Sequence, residues 1–345
     1  MNRTYLDMIQ GQEPAYTPVW FMRQAGRSQP KYREIKKTHS LFDITREPEL
    51  CAYVTNLPVE EYGLDAAILY KDIMSPMTAI GVEVKLVPGK GPVFERPIQR
   101  AADLDQIGTF DGSKVSYIAD TIKLLTSEVL DVPLIGFCGG PFTIASYLVE
   151  GGPTKSYNKT RGLMVSQADL WDDLMNRLAD MSIDYLSMQV EAGANALQIF
   201  DSWIGAVSAE QYHAHIFSHM DKIISTMKAK YPHIPLAMNG VGNAHLVEEW
   251  GQLPIDVLAL DWRCPIDRLG QLGIDKVVQG NLDPAFLYAP VYVLDKELDA
   301  IIEAGLRHGR HVFNLGHGVF PEADPAKLKY ITEYVHEKSR ALRAK

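Results

Sequence analysis

Nowhere in the 345 residues is there an apolar run approaching the ~18 positions of a membrane-spanning helix, so a chain threaded through a bilayer as helices is excluded. The first residues carry neither an apolar core nor a small-residue cleavage site, and the chain is expected to be soluble, unexported and cytoplasmic. Cysteine is scarce. Cys51, Cys138 and Cys264 are an odd set, far apart, with no CxxC pair and no metal-ligand spacing, which excludes a disulfide scaffold and leaves reduced thiols as the expectation. Basic residues are outnumbered, 34 Lys and Arg against 43 Asp and Glu, for a formal net charge of −9. That balance argues against a nucleic-acid partner, which needs a basic patch or stripe. A small anionic ligand stays compatible, because the few groups lining a pocket set its field. Repeats, low-complexity tracts and linkers are also missing, so residues 1–345 read as one catalytic domain.

What is there is a regular alternation. Eight short apolar runs, each ending in a polar or glycine-containing cluster, read as strands buried on both faces. They are Pro18–Phe21, Ala66–Tyr70, Val132–Cys138, Ala196–Phe200, Ile234–Met238, Val257–Leu260, Lys276–Gln279 and His311–Leu315. Between them lie stretches such as Ala168–Leu186, whose apolar residues return every three or four positions as on a helix. The tightest connections, residues 239–256 and 261–275, hold enough chain for one helix and two loops. The pattern predicts an α/β fold, a single parallel (β/α)8 barrel; an open doubly wound sheet is the alternative, since one sequence does not give strand order. Chain beyond the ~250 residues usual for a barrel goes into an N-terminal arm, the segment 22–65 and an inserted β-hairpin at Val82–Phe94, around a Gly-Lys-Gly turn.

A barrel carries its site at the C-terminal ends of its strands, so the residues after each run are the candidates. They are Arg23 to Arg27, Lys71 and Asp72, Tyr147 beyond Gly139-Gly140, Asp201 and Ser202, Asn239 and Gly240, Asp261, Gly280 and Asn281, and His317 between two glycines. Arg23 and Arg27 suit paired hydrogen bonds to carboxylates; two surface arginines are the bland reading. Asp72 at the end of an apolar strand needs a cation or donors, whether those belong to a ligand or to a structural partner. By strand alternation Lys71 is predicted to face away from Asp72. Tyr147 is equally a core aromatic, Ser202 equally a helix cap, and His317 equally a structural histidine.

Taken in order, Thr17-Pro-Val-Trp-Phe-Met-Arg-Gln-Ala-Gly-Arg27, Gly136-Phe-Cys-Gly-Gly-Pro-Phe-Thr143, Tyr147-Leu-Val-Glu-Gly-Gly152, Gln198-Ile-Phe-Asp-Ser-Trp203, Gln279-Gly-Asn-Leu-Asp-Pro284 and Phe313-Asn-Leu-Gly-His-Gly318 resemble segments of the uroporphyrinogen decarboxylase family. The resemblance runs from about Thr17 to Pro325. It implies a barrel enzyme, typically a homodimer, that turns the four acetate arms of uroporphyrinogen III into methyls, giving coproporphyrinogen III and carbon dioxide, with no cofactor and no metal. It further implies that the Arg23, Gln24, Ala25, Gly26 and Arg27 signature binds substrate carboxylates, with Arg23 and Asp72 catalytic and Asp72 holding pyrrole N–H groups. Phe42, Tyr147, Ser202 and His317 match further substrate-contacting positions. The chain departs from the family pattern at Ser28-Gln29, at Tyr70-Lys71 where Phe-Ser is frequent, and at Lys36. The nearest rival, a corrinoid-linked or zinc-dependent methyltransferase, calls for a His and Cys cluster in the barrel mouth, and the sequence has no His-x-Cys pair there.

Overall fold

The computed structural model describes residues 1–87 and 89–345. Its centre is a parallel sheet of seven short strands, β1 (Ala67–Ile68), β4 (Leu134–Gly139), β5 (Ala196–Asp201), β6 (Leu236–Gly240), β7 (Val257–Ala259), β8 (Val277–Gln279) and β9 (His311–Val312), paired in that order. Every neighbour in the sheet is also the next strand of the sheet in sequence. Parallel neighbours joined by right-handed crossovers put all connecting helices on one face and curl the sheet around the other. The result is the curled α/β sheet of barrel-like folds rather than an open doubly wound sheet. Every residue of β4, β5 and β6 is buried, which is why those runs are apolar on both faces rather than alternating.

The helix Ala168–Ala192 shows how sequence builds the outer layer. Leu170, Trp171, Leu174, Leu178, Met181 and Tyr185 return every three or four residues on its buried face, and Gly193, at φ 118°, ends it in a left-handed turn. From its last turn Gln189 reaches the sheet, accepting from the Phe137 N–H at 2.9 Å and donating to the Phe137 carbonyl at 3.0 Å. Strand β2 (Lys85–Val87) pairs antiparallel with β3 (Gly91–Val93), Lys85 opposite Val93. The expected hairpin turn includes Pro88, which lies outside the described residues. At the N-terminus the helix Thr4–Ile9 buries Tyr5, Leu6, Met8 and Ile9 rather than trailing as an arm. Cys51, Cys138 and Cys264 are free and buried.

Two expectations about strand ends change. Asn239 and Gly240 belong to β6, paired with Phe200 and Asp201, because the ladder continues past the apolar run. Pro18–Phe21 is not a full strand: only Val19 bridges to Phe313. Pro18 has no N–H, the Trp20 N–H goes to the Phe313 carbonyl (3.3 Å), and the other donors go to side chains, Val19 N–H to Asp65 Oδ2 (2.8 Å), Phe21 N–H to Gln24 Oε1 (3.1 Å) and Met22 N–H to Asn314 Oδ1 (3.0 Å).

Asp65 is the clamp of this seam. It is 1% exposed, and besides Val19 it accepts from His336 Nε2 at 2.7 Å, Tyr16 Oη at 3.1 Å and Asn2 Nδ2 at 3.2 Å. Replacing it by alanine leaves a buried N–H and a half-buried imidazole without their acceptor, so Asp65→Ala is expected to lower the unfolding free energy by about 3 kcal/mol. Urea denaturation checks this, and a loss below ~0.5 kcal/mol, the size of an ordinary surface substitution, would contradict the clamp.

Candidate active site

The C-terminal ends of β1, β4 and β5, the loop after Val19 and the loop after β9 surround a cavity of about 610 Å³. Arg23, Gln24, Ala25, Gly26, Arg27, Asp72, Tyr147, Ser202 and His317 all line it. Phe42 does not: it sits half-buried on the helix Leu41–Arg46 under the guanidinium of Arg46, 5.7 Å away, and Leu41 takes the place on the wall.

Arg23 occupies a left-handed backbone position, φ 60°, which costs a non-glycine residue on the order of 1 kcal/mol. The kink is held from both sides by the following residue: Gln24 donates its backbone N–H to the Phe21 carbonyl, and its buried amide bridges Phe21 N–H to the Ala66 carbonyl. Gln24 therefore meets the cavity with its side chain already occupied. The stem of Arg23 runs over Gly318, where a Cβ would lie 2.5 Å from Arg23 Cδ, so any larger residue there would push the arginine stem aside. Burial lowers the Arg23 pKa, Tyr147 opposes this and Arg27 adds to it; arginine remains a cation regardless. Arg23 and Arg27 are exposed to the cavity, and neither forms an ion pair among the described residues.

Asp72 is the opposite charge. Its Oδ1 accepts from the Met74 N–H and its Oδ2 from Ser75 Oγ at 3.2 Å, while burial raises the carboxyl above its ordinary value. Lys71 corrects an expectation, since it lines the same cavity as Asp72. Strand alternation stops applying because β1 ends at Ile68, and the chain has turned before residue 71.

Three further groups complete the wall. Tyr147 stacks on Trp203, rings 4.0 Å apart, and burial, countered by Arg23, pushes its phenol up to about 12. Ser202 does not cap the following turn; Trp203 holds that position and Ser208 caps the helix Ala209–His215. His317 accepts the Gly318 N–H on Nδ1 at 2.6 Å, which places its proton on Nε2. Desolvation first, and Arg23 next, lower its pKa, so at neutral pH it is an uncharged donor.

The other post-strand residues serve the scaffold. Asp201 is fully buried, accepts from Thr143 N–H at 2.9 Å and from its hydroxyl, and burial pushes it up to about 6; Gly140 must be glycine because a Cβ would lie 2.4 Å from Asp201. Asp261 binds the N–H of Gly242 and Arg263, and Asn281 donates to the carbonyls of Asp261 and Cys264. Asn239, Gly280 and Asn281 are off the cavity wall. The site's apolar floor, Phe137 edge-on to Phe200 at 5.3 Å, was missed in the sequence; both sit near the ends of buried strands, where alternation would have suggested them. No group of three or more His, Cys, Asp or Glu able to hold a metal occurs among the described residues.

A family model described as uroporphyrinogen decarboxylase (URO-D) matches residues 1–338. Over 336 residues the chain is 54% identical to a uroporphyrinogen decarboxylase of Staphylococcus aureus (strain USA300 / TCH1516), covering 97% of each chain. Among solved structures it is similar to a methyltransferase from Methanosarcina mazei, TM-score 0.77 at 20% identity over 97% of both chains. It is also similar to a B12-independent methionine synthase from Shewanella sp. W3-18-1, TM-score 0.59 at 13% identity over 90% of this chain and 92% of that one. At those identities the likeness is one of fold.

The Arg23 and His317 coupling has a direct consequence. Removing the guanidinium takes away a cation that disfavours the imidazolium, so Arg23→Ala is expected to raise the His317 pKa toward that of a free imidazole. NMR titration of the His317 ring reads this, and an unmoved or lowered midpoint would show that the two groups do not share one field.

Proposed function

The chain belongs to the uroporphyrinogen decarboxylase family, and we propose that this cavity removes the carboxyl groups of the four acetate arms of uroporphyrinogen III as carbon dioxide, leaving the methyls of coproporphyrinogen III. The observation that supports its use here is a complementarity of charge. Two guanidinium groups without an ion pair among the described residues face a cavity whose carboxylate, Asp72, is held by an amide and a hydroxyl. A macrocycle with carboxylates at its rim and N–H donors at its centre fits that arrangement, rim to arginines and centre to Asp72. Tyr147 and Ser202 bring hydroxyls and His317 an Nε2–H donor to further substrate oxygens. Phe137 and Phe200 give the ring an apolar surface.

Loss of carbon dioxide from an acetate arm leaves an electron pair that needs a sink, and the substrate's own ring supplies it. A proton added to the pyrrole carbon beside the acetate-bearing carbon makes the ring cationic. The bond to the carboxylate then breaks, its electron pair neutralises the ring, and an exocyclic methylene remains. A second proton converts that methylene into a methyl, and loss of the first restores the pyrrole; in sum one proton replaces one carboxylate. The Asp72 anion beneath the ring N–H groups stabilises the cationic stages, a contribution whose loss typically costs ~10²-fold or more in turnover. Arg23 acts at the rim, gripping the carboxylate of the reacting arm.

The same reading extends to finer points. Pro18–Phe21 is the eighth stave of the barrel, supported by the Val19–Phe313 bridge on one side and the Asp65 N–H to Val19 carbonyl bond of 2.9 Å on the other. Residues 1–345 act as one catalytic domain, supported by the extent of the family match. A homodimer is proposed with the exposed apolar cluster Tyr288, Val291 and Tyr292 as support, and a cytoplasmic location with the three free, buried thiols.

Anaerobic incubation of metal-free protein with uroporphyrinogen is expected to yield coproporphyrinogen with no added cofactor; activity lost on exhaustive chelation and restored by zinc would overturn the substrate-as-sink account. Arg23→Ala is expected to harm turnover more than Lys36→Ala, because Lys36 ends the helix Pro30–Ile35 and does not line the cavity. Equal losses would mean that the carboxylate grip lies elsewhere. In sedimentation velocity the protein is expected at dimer mass, and a concentration-independent monomer would contradict the pairing.

A further inference from the structure

Lys71 is a lysine that the mechanism above does not use, yet it lies on the cavity wall beside Asp72. Its ammonium occupies a position that sheet geometry assigns to the backbone. Along the β1 to β4 seam, the N–H of Ala67 bonds the Pro133 carbonyl at 2.9 Å and the N–H of Leu69 bonds the Ile135 carbonyl at 3.1 Å. The next acceptor in that row is the Phe137 carbonyl. Lys71 Nζ donates to it at 2.6 Å beside Gln189 Nε2 at 3.0 Å, so the seam is closed by side chains, Lys71 from the β1 side, while the backbone turns away after Leu69 and carries Asp72 toward the cavity. The ammonium lies over the ring of Phe137, 3.5 Å from its centroid, and 4.7 Å from that of Tyr185.

We propose that Lys71 is a positioning residue for Asp72, helping to close the strand end that aims the carboxylate and supplying a buried positive charge that favours its anion before the macrocycle arrives. The proposal rests on the reading of Asp72 as the anion beneath the ring. The two side chains form no ion pair, so the coupling acts through the protein interior, where screening is weak; burial raises the Asp72 pKa, and the Met74 N–H first and Lys71 next lower it. Asp72 in turn has no competing anion near Lys71. Cys51 and Cys138, on the helix Pro48–Tyr62 and on β4, are both pushed up to about 12 by burial and stay neutral thiols. Tyr70, Tyr117 and Tyr185, the phenols that share the field of Asp72, are likewise raised and uncharged, with Arg46 reaching Tyr117. Burial lowers Lys71 to about 7, so on the acid side of neutrality it is a cation.

The pH profile of kcat/KM tests this, because its acid limb reports deprotonation of an essential base in the free enzyme. Lys71→Met removes charge and donor; Lys71→Gln removes the charge and keeps an N–H for the Phe137 carbonyl. Loss of a neighbouring cation raises a carboxyl pKa, so both variants are expected to shift the acid limb toward higher pH, with kcat/KM at its foot reduced about tenfold. Lys71→Arg keeps the charge and is expected to hold the wild-type midpoint. An acid limb unmoved in both uncharged variants, even with a lowered melting temperature, would make Lys71 a structural clamp only and overturn the proposal. Asp72→Asn run alongside separates the two levels: if it retains full turnover, the reading of Asp72 fails; if it is inactive while the Lys71 variants keep the wild-type limb, only the proposal for Lys71 fails.

Discussion

The carboxylate of Asp65 holds three parts of the chain at once, the extended segment at Val19, the C-terminal helix through His336 and the N-terminus through Tyr16 and Asn2. Besides that clamp the segment after Thr17 is tied to the sheet by its bridge to Phe313, by Trp20 to Gln279 and by Met22 to Asn314. Its direction matters because the left-handed kink at Arg23 follows four residues after Val19 and sends two guanidinium groups over the end of the sheet. Much of the rest of the cavity is built on strand ends, but its two guanidinium groups come from this one pinned segment. A buried carboxylate satisfied by an amide, an imidazole and a hydroxyl is costly to lose, which makes it a dependable fixing point.

At the sheet end, charges are kept apart rather than neutralised. Arginines on one loop, a carboxylate on another and a lysine tied to the Phe137 carbonyl all stop short of pairing with one another. Holding like and unlike charges unpaired costs stability, and sites that do so are where ligand charges are to be met. Asp201, by contrast, is the carboxylate of the Asp-Ser-Trp segment that turned inward, where it fastens β5 to the helix Pro141–Glu150.

Much of this was legible in the sequence because buried parallel strands are written as apolar runs and the residues after them meet at one end of the sheet. Arg23, Asp72, Tyr147, Ser202 and His317 were found that way and do share a cavity. Failures came where side chains replace backbone in the hydrogen-bond ladder. Pro18–Phe21 looks like a strand by composition, yet Asp65 and Gln24 take the donors of Val19 and Phe21. Lys71 broke the alternation rule because β1 ends at Ile68 and a side chain, not its backbone, meets the next carbonyl of the ladder. Phe42 carries no mark of the direction in which its helix faces, and Asn281 and Asp261, polar and well placed along the chain, turned to bond backbone instead. Polarity at a strand end announces a post; whether the side chain points to ligand or to scaffold is decided by neighbours far away in sequence.

The central claim is that the negative charge of Asp72, not its shape, drives the reaction. Asn is nearly isosteric and uncharged, and Glu keeps the charge but displaces it by one methylene. Steady-state turnover with uroporphyrinogen, measured beside thermal melts, is expected to show Asp72→Asn folded and slowed by at least ~10²-fold, with Asp72→Glu impaired but measurably active. A lowered melting temperature for Asp72→Asn with near-normal turnover in the folded fraction would make Asp72 structural and contradict the account.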